Sequence, residues 1–471
     1  MGRHVHLIGI GGSGLSAIAT LLWERGEAVS GSDRQDSPVI QRLKSAGMRI
    51  FIGHRAENIA GADLIVRSSA VQDENVEVQA GRQAGIPVLR REEFLPQLSA
   101  GKQTVAVAGT HGKTTTTALI AWLLSEMSLD PSFIIGGFST NLDRNAHAGD
   151  GELFIIEADE YDRMFLGLDP WIAVVTNVEH DHPDCYPTPA DFQQAFEAFT
   201  DRIADRGCLL ACADDAGASA LVARNLALGR KSFRYSLKDE QAEYFARDLA
   251  SNSSGGYTFD LYLRGVLSLQ GVRLKVPGVH NVSNALAALA VIDLLGLPLE
   301  DAGRHCGKFR GTSRRFEIRS ESDLIAIVDD YAHHPSEIRA TLAAARGRYP
   351  GRRIWAVWLP HTYSRTQTLL EDYQGAFMDA DRVLVTEIYA AREQPTPGFS
   401  GEQVAASLAK NRTNGSPSIY FEPKLESAAD LLLAALEPGD VVLVLSAGDA
   451  DWISSHLLEK LDLSIPSGGG R

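Results

Sequence analysis

The chain has 471 residues, 44% hydrophobic and 22% charged, the proportions of a soluble globular protein long enough for about three domains and needing no disulfide staples. A net charge of −15 argues against nucleic acid or an anionic membrane as the main partner, but leaves room for small anions, which backbone N–H groups and a few local cations hold. No run of about 18 apolar residues predicts membrane insertion, the N-terminal M-G-R-H-V-H-L-I-G-I carries no signal-peptide pattern, and Cys185, Cys208, Cys212 and Cys306 form no C-x-x-C pair, so the expectation is a cytoplasmic protein with reduced thiols.

In chain order, residues 1–100 alternate short apolar runs with helical patterns: a strand at Val5–Ile8, a helix at Leu15–Arg25, and strands at Ala28–Gly31, Leu64–Arg67 and Val88–Leu89. Such alternation predicts a parallel sheet covered by helices. Ser99-Ala100-Gly101 reads as a linker. A second unit, 101–313, opens on the strand Thr104–Ala108 and a helix from about Thr115 to Met127. It continues with buried-type strands at Leu153–Ile156 and Ile172–Thr176, a turn-rich loop at Pro183–Pro189 and a helix at Ala190–Asp201. Short alternating strands, among them Tyr257–Leu263 and Val272–Val276, then lead to the alanine-rich helix Val282–Leu295. The third unit, 314–471, places strands at Leu324–Val328, Ile354–Trp358, Arg382–Thr386 and Val441–Leu445 with helices between, and ends in a loose S-G-G-G-R tail.

Six motifs carry chemistry. In V-A-V-A-G-T-H-G-K-T-T-T-T, residues 105–117, a strand enters a glycine turn (Gly109, Thr110, His111, Gly112) and then a helix opening on Lys113, Thr114 and Thr115. Turn and helix N-terminus make an anion cradle, Lys113 reaches terminal phosphates, and Thr114 offers a hydroxyl to Mg²⁺. The general phosphate-loop pattern has a glycine where Val107 stands. G-I-G-G-S-G, with Gly9, Gly11, Gly12, Ser13 and Gly14, also joins a strand to a helix, and Asp33 ends the next strand, so a diphosphate can sit there. I-I-E-A-D-E-Y-D, residues 155–162, sets Glu157 at a strand end, where a magnesium carboxylate belongs, whereas Glu160 and Asp162 read as solvent-facing or paired with basic residues. T-N-V-E-H-D-H-P-D, residues 176–184, fits no structural zinc spacing and reads either as a second Mg²⁺ contact or as a polar loop. D-D-Y-A-H-H-P and L-P-H-T-Y-S-R-T, residues 329–335 and 359–366, put His, Asp and Arg at the carboxyl edge of a sheet, where such folds bind ligands.

Jointly, these motifs resemble the Mur ligase family over nearly the whole chain, and G-T-H-G-K-T-T-T-T is similar to its phosphate loop, missing first glycine included. P-G-V-H-N-V-S-N-A-L-A-A, residues 277–288, resembles its adenine-contacting segment, and G-T-S-R-R-F-E, residues 311–317, the passage into its third domain. The resemblance implies three α/β domains: an N-terminal Rossmann-like domain for a UDP-sugar, a central P-loop ATPase and a C-terminal Rossmann-like domain for an amino acid. It implies ATP and Mg²⁺, with UDP-N-acetylmuramic acid and L-alanine as the joined substrates of a step in peptidoglycan synthesis, in a monomer or weak homodimer. ATP falls to the residues 109–115 named above with His280, Asn281, Asn284, Arg314 and Arg315. The UDP-sugar falls to the Gly9–Gly14 loop, Asp33, Ser68 and Ser69, and the metal to Thr114, Glu157, His182 and Glu197, the last where sibling ligases carry a carbamoylated lysine. Lys113, His334, His361 and Arg365 are the catalytic candidates, with Tyr331 beside them at the amino-acid end; His334 and His361 both qualify as the base that takes the amine proton.

Two residues depart from the alanine-adding pattern. Thr362 stands where an arginine is commoner, and Tyr161 is more typical of the ligase that recycles a preformed tripeptide onto the same UDP-sugar, whereas P-H-x-Y-S-R-T and F-L-G-L-D-P (165–170) favour the alanine-adding members. A dehydrogenase resting on Gly9–Gly14 and Asp33 leaves the phosphate loop unexplained, and an ATP-gated binding protein leaves the His- and Arg-rich third unit without a task.

Overall fold

The computed structural model describes residues 2–410 and 415–463; the C-terminal tail lies outside them. Among the described residues three sheets of five, ten and six strands follow one another along the chain. The first runs Arg49–Ile52, Ala28–Asp33, His4–Ile8, Leu64–Arg67, Val88–Arg90 in spatial order, all parallel, with Val5 opposite both Val29 and Leu64. The apolar strands are wholly buried at their centre because helices cover both faces, as the strand–helix alternation requires.

The second sheet centres on Gln103–Ala108, flanked by parallel Ile172–Val175 and Leu153–Glu157, with Val105 opposite Ile172 and Ile155. Antiparallel pairs extend it at both edges: Ser132–Ser139 with Arg144–His147, and Tyr244–Ser251 with Tyr257–Leu263 and Val266–Arg273. The expected strand at Val272–Val276 is the end of this last one, closing at Arg273 ahead of Pro277. The phosphate-loop helix spans Lys113–Glu126 rather than beginning at Thr115, so Lys113 and Thr114 sit in its first turn. Val107 is fully buried mid-strand, opposite Val174 and Glu157, so no turn occurs where the general pattern has its glycine.

The third sheet is parallel except for the edge strand Glu317–Glu321, and its strand Ile325–Asp330 carries Asp329 and Asp330 inside the sheet. No helix among the described residues is long and apolar enough to cross a membrane, and all four cysteines are free.

The three domains are joined in two different ways. One continuous apolar core runs from Leu15, Ile18 and Phe94 of the first domain into Ala106, Phe154 and Phe165 of the second. The third domain keeps separate cores and meets the second through polar contacts. Arg365 donates Nε to Asp181 Oδ1 at 2.7 Å with both side chains about 5% exposed. Ser336 Oγ donates to Glu179 Oε1 at 2.6 Å, and His111 lies 3.1 Å from Glu179 and 3.3 Å from Glu337.

Truncating one partner of a buried pair strands the other charge, so Asp181→Ala is expected to destabilise the fold by about 3–5 kcal/mol in denaturant titration. Burial opposes the charge on His111, but Glu337 and Glu179 outweigh it and raise its pKa from 6.5 to about 9. Glu179, against the cost of burial, is lowered from 4.5 to about 2, chiefly by His111 and then His334 and Ser336. A raised histidine stabilises fully below 6.5 and loses this as pH passes about 9, whereas a lowered glutamate stabilises above 4.5 and fails toward 2. The gap in Tm between wild type and His111→Asn is therefore expected to be widest between pH 4.5 and 6.5 and to narrow as pH rises through about 9.

Candidate functional site

Two helices present N-termini without side-chain caps to one cavity. Ser13–Glu24 follows Gly12, and Lys113–Glu126 follows Gly112, and in each the free N–H groups of the first turn remain for an anion. Gly112 has φ 81°, and a Cβ there would come within 2.6 Å of Asn284 Oδ1, so the turn accepts only glycine without strain. The loop is fixed from the neighbouring strand end: Thr110 Oγ1 donates to the Glu179 carbonyl at 2.7 Å, and His111 N–H donates to Asn177 Oδ1 at 2.8 Å.

The cavity measures about 540 Å³, with walls from all three domains: Ser13 and Gly14, then Lys113, Thr114 and Glu157, then Arg314 and Tyr331. Lys113 Nζ donates to the Gly109 and Thr110 carbonyls and, at 2.9 Å, to Glu160 Oε1. Burial disfavours the ammonium, but Glu160, Glu157 and Asp159 outweigh it and keep the pKa of Lys113 above its ordinary value. Thr114 Oγ1 donates to Glu157 Oε1 at 3.2 Å, and Gly136 N–H donates to Glu157 Oε2 at 2.8 Å. Burial raises Glu157, with Lys113 offsetting only part. Glu160, by contrast, is lowered despite burial by Lys113 and His182, the latter 3.5 Å away. Glu160 Oε2 is buried with no hydrogen-bond partner. Two hydroxyl-and-carboxylate positions beside a solitary buried carboxylate oxygen suit a hard divalent cation.

A second cavity of about 300 Å³ adjoins the first behind the glycine turn, lined by His111, Gly112 and Thr115 on one side and His280, Asn281 and Asn284 on the other, with Arg315 shared between the cavities. Burial holds His280 down to about 4, so it is a neutral ring.

The amino-acid end differs from the sequence reading in one histidine. His334 does not line either cavity. It is the N-cap of the helix Pro335–Arg348, where its Nδ1 accepts from Ser336 N–H and Glu337 reciprocates toward the His334 N–H. His333 takes the cavity position instead, 5.8 Å ring to ring from His361 and 5.6 Å from Tyr331. The signal was present in H-H-P-S-E, a capping box with proline at the first helical position, which assigns the second histidine to the cap. Burial, then Arg365, lowers His333 to about 3 and His361 to about 4, so both rings are neutral near pH 7.

Glu197 also stands apart. It lies on the helix Pro189–Thr200, is 3.6 Å from Arg224, and does not line the cavities. His182 does, with φ 55°. Gly9, Gly11, Gly12, Asp33, Ser68 and Ser69 cluster beyond the Ser13 end of the main cavity: Asp33 Oδ2 accepts from Gly11 N–H at 2.9 Å, and Ser68 faces Gly9. Asp181, His333, Glu337, Arg91 and Arg392 line the site without having been singled out from the sequence, and Glu160, read there as exposed or paired with a basic residue, lines it as well. Arg91 presses its guanidinium against Gly14, where a Cβ would collide with it, and pairs with Asp159 at 3.2 Å.

Residues 4–103 match the catalytic domain of the Mur ligase family, 107–292 the Mur ligase middle domain, and 314–448 the Mur ligase glutamate ligase domain. The chain is 41% identical over 458 residues to a UDP-N-acetylmuramate–L-alanine ligase of Roseiflexus castenholzii, covering 95% of each. Its fold is similar to that of a UDP-N-acetylmuramate–alanine ligase from Thermotoga maritima (TM-score 0.81, 29% identity, 98% of this chain and 99% of that one). A murein peptide ligase from Psychrobacter arcticus is also similar, with TM-score 0.71 and 26% identity over 98% of this chain and 99% of that one. In sequence and domain order, the chain belongs to the Mur ligase family.

Proposed function

We propose that this protein joins L-alanine to the lactyl carboxylate of UDP-N-acetylmuramic acid at the expense of ATP, a step of peptidoglycan precursor synthesis. The observation that carries the reading is the single cavity in which two uncapped helix N-termini, from separate domains, face a pair of neutral histidines from a third. The identity to alanine-adding relatives over nearly the full chain supports L-alanine as the acceptor. Domains 1–100, 101–313 and 314–471 then take UDP-sugar, ATP and amino acid in turn.

ATP lies with its phosphates on the turn Gly109–Gly112 and its base in the cavity of His280, Asn281 and Asn284, with Arg314 and Arg315 closing over it from the third domain. Thr114, Glu157, Glu160 and His182 would hold Mg²⁺, which when bound offsets charge on the transferring phosphoryl group. Glu160 takes the place the sequence reading gave to Glu197, because its Oε2 is buried without a partner whereas Glu197 is engaged by Arg224. The UDP diphosphate sits on the helix beginning at Ser13, with Arg91 across from it. Lys113 stabilises the phosphoryl group as the lactyl carboxylate attacks the γ-phosphorus, giving an acyl phosphate and ADP. The amine of L-alanine then attacks the acyl carbon, a histidine takes its proton, and phosphate leaves. His333 and His361 are the histidines that the third domain brings to the cavity. His333 turns Nδ1 to the Tyr331 carbonyl at 3.0 Å, which leaves its Nε2 lone pair free, whereas the His361 Nδ1 lone pair accepts from Arg365 Nη1 at 3.1 Å; the arriving anions raise the proton affinity of both rings.

With ATP and UDP-N-acetylmuramic acid present, phosphate release and a new amide in the product mass spectrum are expected on adding L-alanine; a response to the murein tripeptide alone would identify the recycling ligase instead. Lys113→Ala is expected to lower kcat by about 10³-fold, read in the same assay. Glu160→Gln is expected to raise the Mg²⁺ concentration for half-maximal rate about tenfold or more while Glu197→Gln leaves it unchanged, measured by metal titration.

A further inference from the structure

Resting on the reading above, one cationic group near the two histidines stands apart from the rest. The amino acid arrives as a zwitterion, and its carboxylate, which takes no part in the reaction, needs a guanidinium or ammonium with N–H groups to spare. Arg365 has none, since Nε and Nη2 are bound to Asp181 and Nη1 faces His361 at 3.1 Å. Arg314 and Arg315 keep N–H groups to spare, donating from Nη2 to the Ser446 and Gly448 carbonyls and from Nη1 to Glu337, but both lie over the Tyr331 ring and the function proposed above already gives them to ATP. Lys113 belongs to the phosphate loop and Arg91 to the first domain.

Arg392 is mounted differently. Its guanidinium lies over the ring of Tyr161, 4.1 Å from the centroid, and donates a single nitrogen, Nη2, to Asp184 at 2.7 Å. Asp184 in turn accepts from the Tyr161 hydroxyl at 3.1 Å, so ring, carboxylate and guanidinium brace one another. Among the described residues, Arg392 Nε and Nη1 have no hydrogen-bond partner. The segment bearing Arg392 is pinned on both sides to the strand end that carries His361. Tyr389 exchanges backbone hydrogen bonds with Pro360 and Thr362 and stacks on the His361 ring at 5.6 Å, and Glu393 accepts from Ser364 N–H at 3.0 Å and from its hydroxyl. A guanidinium held by its own stacking partner and a latched loop loses little entropy on binding a carboxylate. Beside it, Thr362 lines the cavity with φ 66°, strained for a β-branched residue, and brings no charge.

We propose that Arg392, seated on Tyr161 and Asp184, binds the α-carboxylate of the incoming L-amino acid in this protein.

The test compares L-alanine with L-alaninamide, which keeps the amine and lacks the charge, at saturating ATP and UDP-N-acetylmuramic acid. Wild type is expected to favour L-alanine by about 100-fold in kcat/KM. Arg392→Ala is expected to raise KM for L-alanine by a similar factor of about 100 while its rate with L-alaninamide and its KM for ATP and the UDP-sugar move less than about threefold, and Arg392→Lys to keep part of the discrimination. The retained alaninamide rate also reports that the variant is folded. An Arg392→Ala enzyme that still discriminates, or that loses both acceptors equally, overturns the assignment alone. A wild type that releases no phosphate with L-alanine overturns the functional reading and the assignment with it.

Discussion

The buried pair between Asp181 and Arg365 is the contact on which the site depends. Asp181 sits in the central domain, one residue before His182, and Arg365 in the third, four residues after His361. This ion pair, with the contacts of Ser336 to Glu179, His111 to Glu337 and Arg392 to Asp184, sets the phosphate-binding half and the histidine half of the cavity in register. Removed from water, both charges are tolerable only while they hold each other, and Asp181 is kept well below the carboxylate range, against burial, by that guanidinium. The third guanidinium nitrogen, turned to His361, carries the same constraint to a candidate base.

What the sequence made legible follows from locality. A strand running through a glycine turn into a helix is specified by adjacent residues, so both anion cradles and their order along the chain could be read directly. Hairpins at the edges of the central sheet were less visible, because edge strands half-exposed on both faces lose the clean alternation of a buried face. At the site, the misses have physical causes. His333 and His334 are chemically equal, and only the capping demand of the helix after Pro335 separates them. Glu160, read as solvent-facing or paired with a basic residue, takes the second course: the turn carrying Asp162 and Arg163 at positive φ sets it against Lys113, and only its place in the cavity was not read. Glu197 sat at the expected sequence distance, but its helix turns that face toward Arg224. Arg392 gave no local signal, since its partners Tyr161 and Asp184 lie more than two hundred residues earlier.

Some of the backbone strain stands at the same place. His182, Arg314, Phe316 and Thr362 all take left-handed backbone without being glycine, and all line one of the two cavities. Such conformations persist where surrounding contacts over-determine them, and here they re-aim side chains at a shared volume. The charge distribution is equally local. In a chain of net charge −15, the main cavity is lined by six arginine and lysine side chains against six aspartate and glutamate, so the acid excess of the whole is absent there.

The unequal joining of the domains has a mechanical consequence. Separating the first domain from the second would bring oil-like surface from one continuous core into water, so those two behave as one body. The third domain can part from them by exchanging ion pairs and hydrogen bonds for water, which is a far gentler exchange. The hinge thus lies on the amino-acid side: the molecule is a fixed jaw that carries two phosphate seats and a free jaw that delivers the amine.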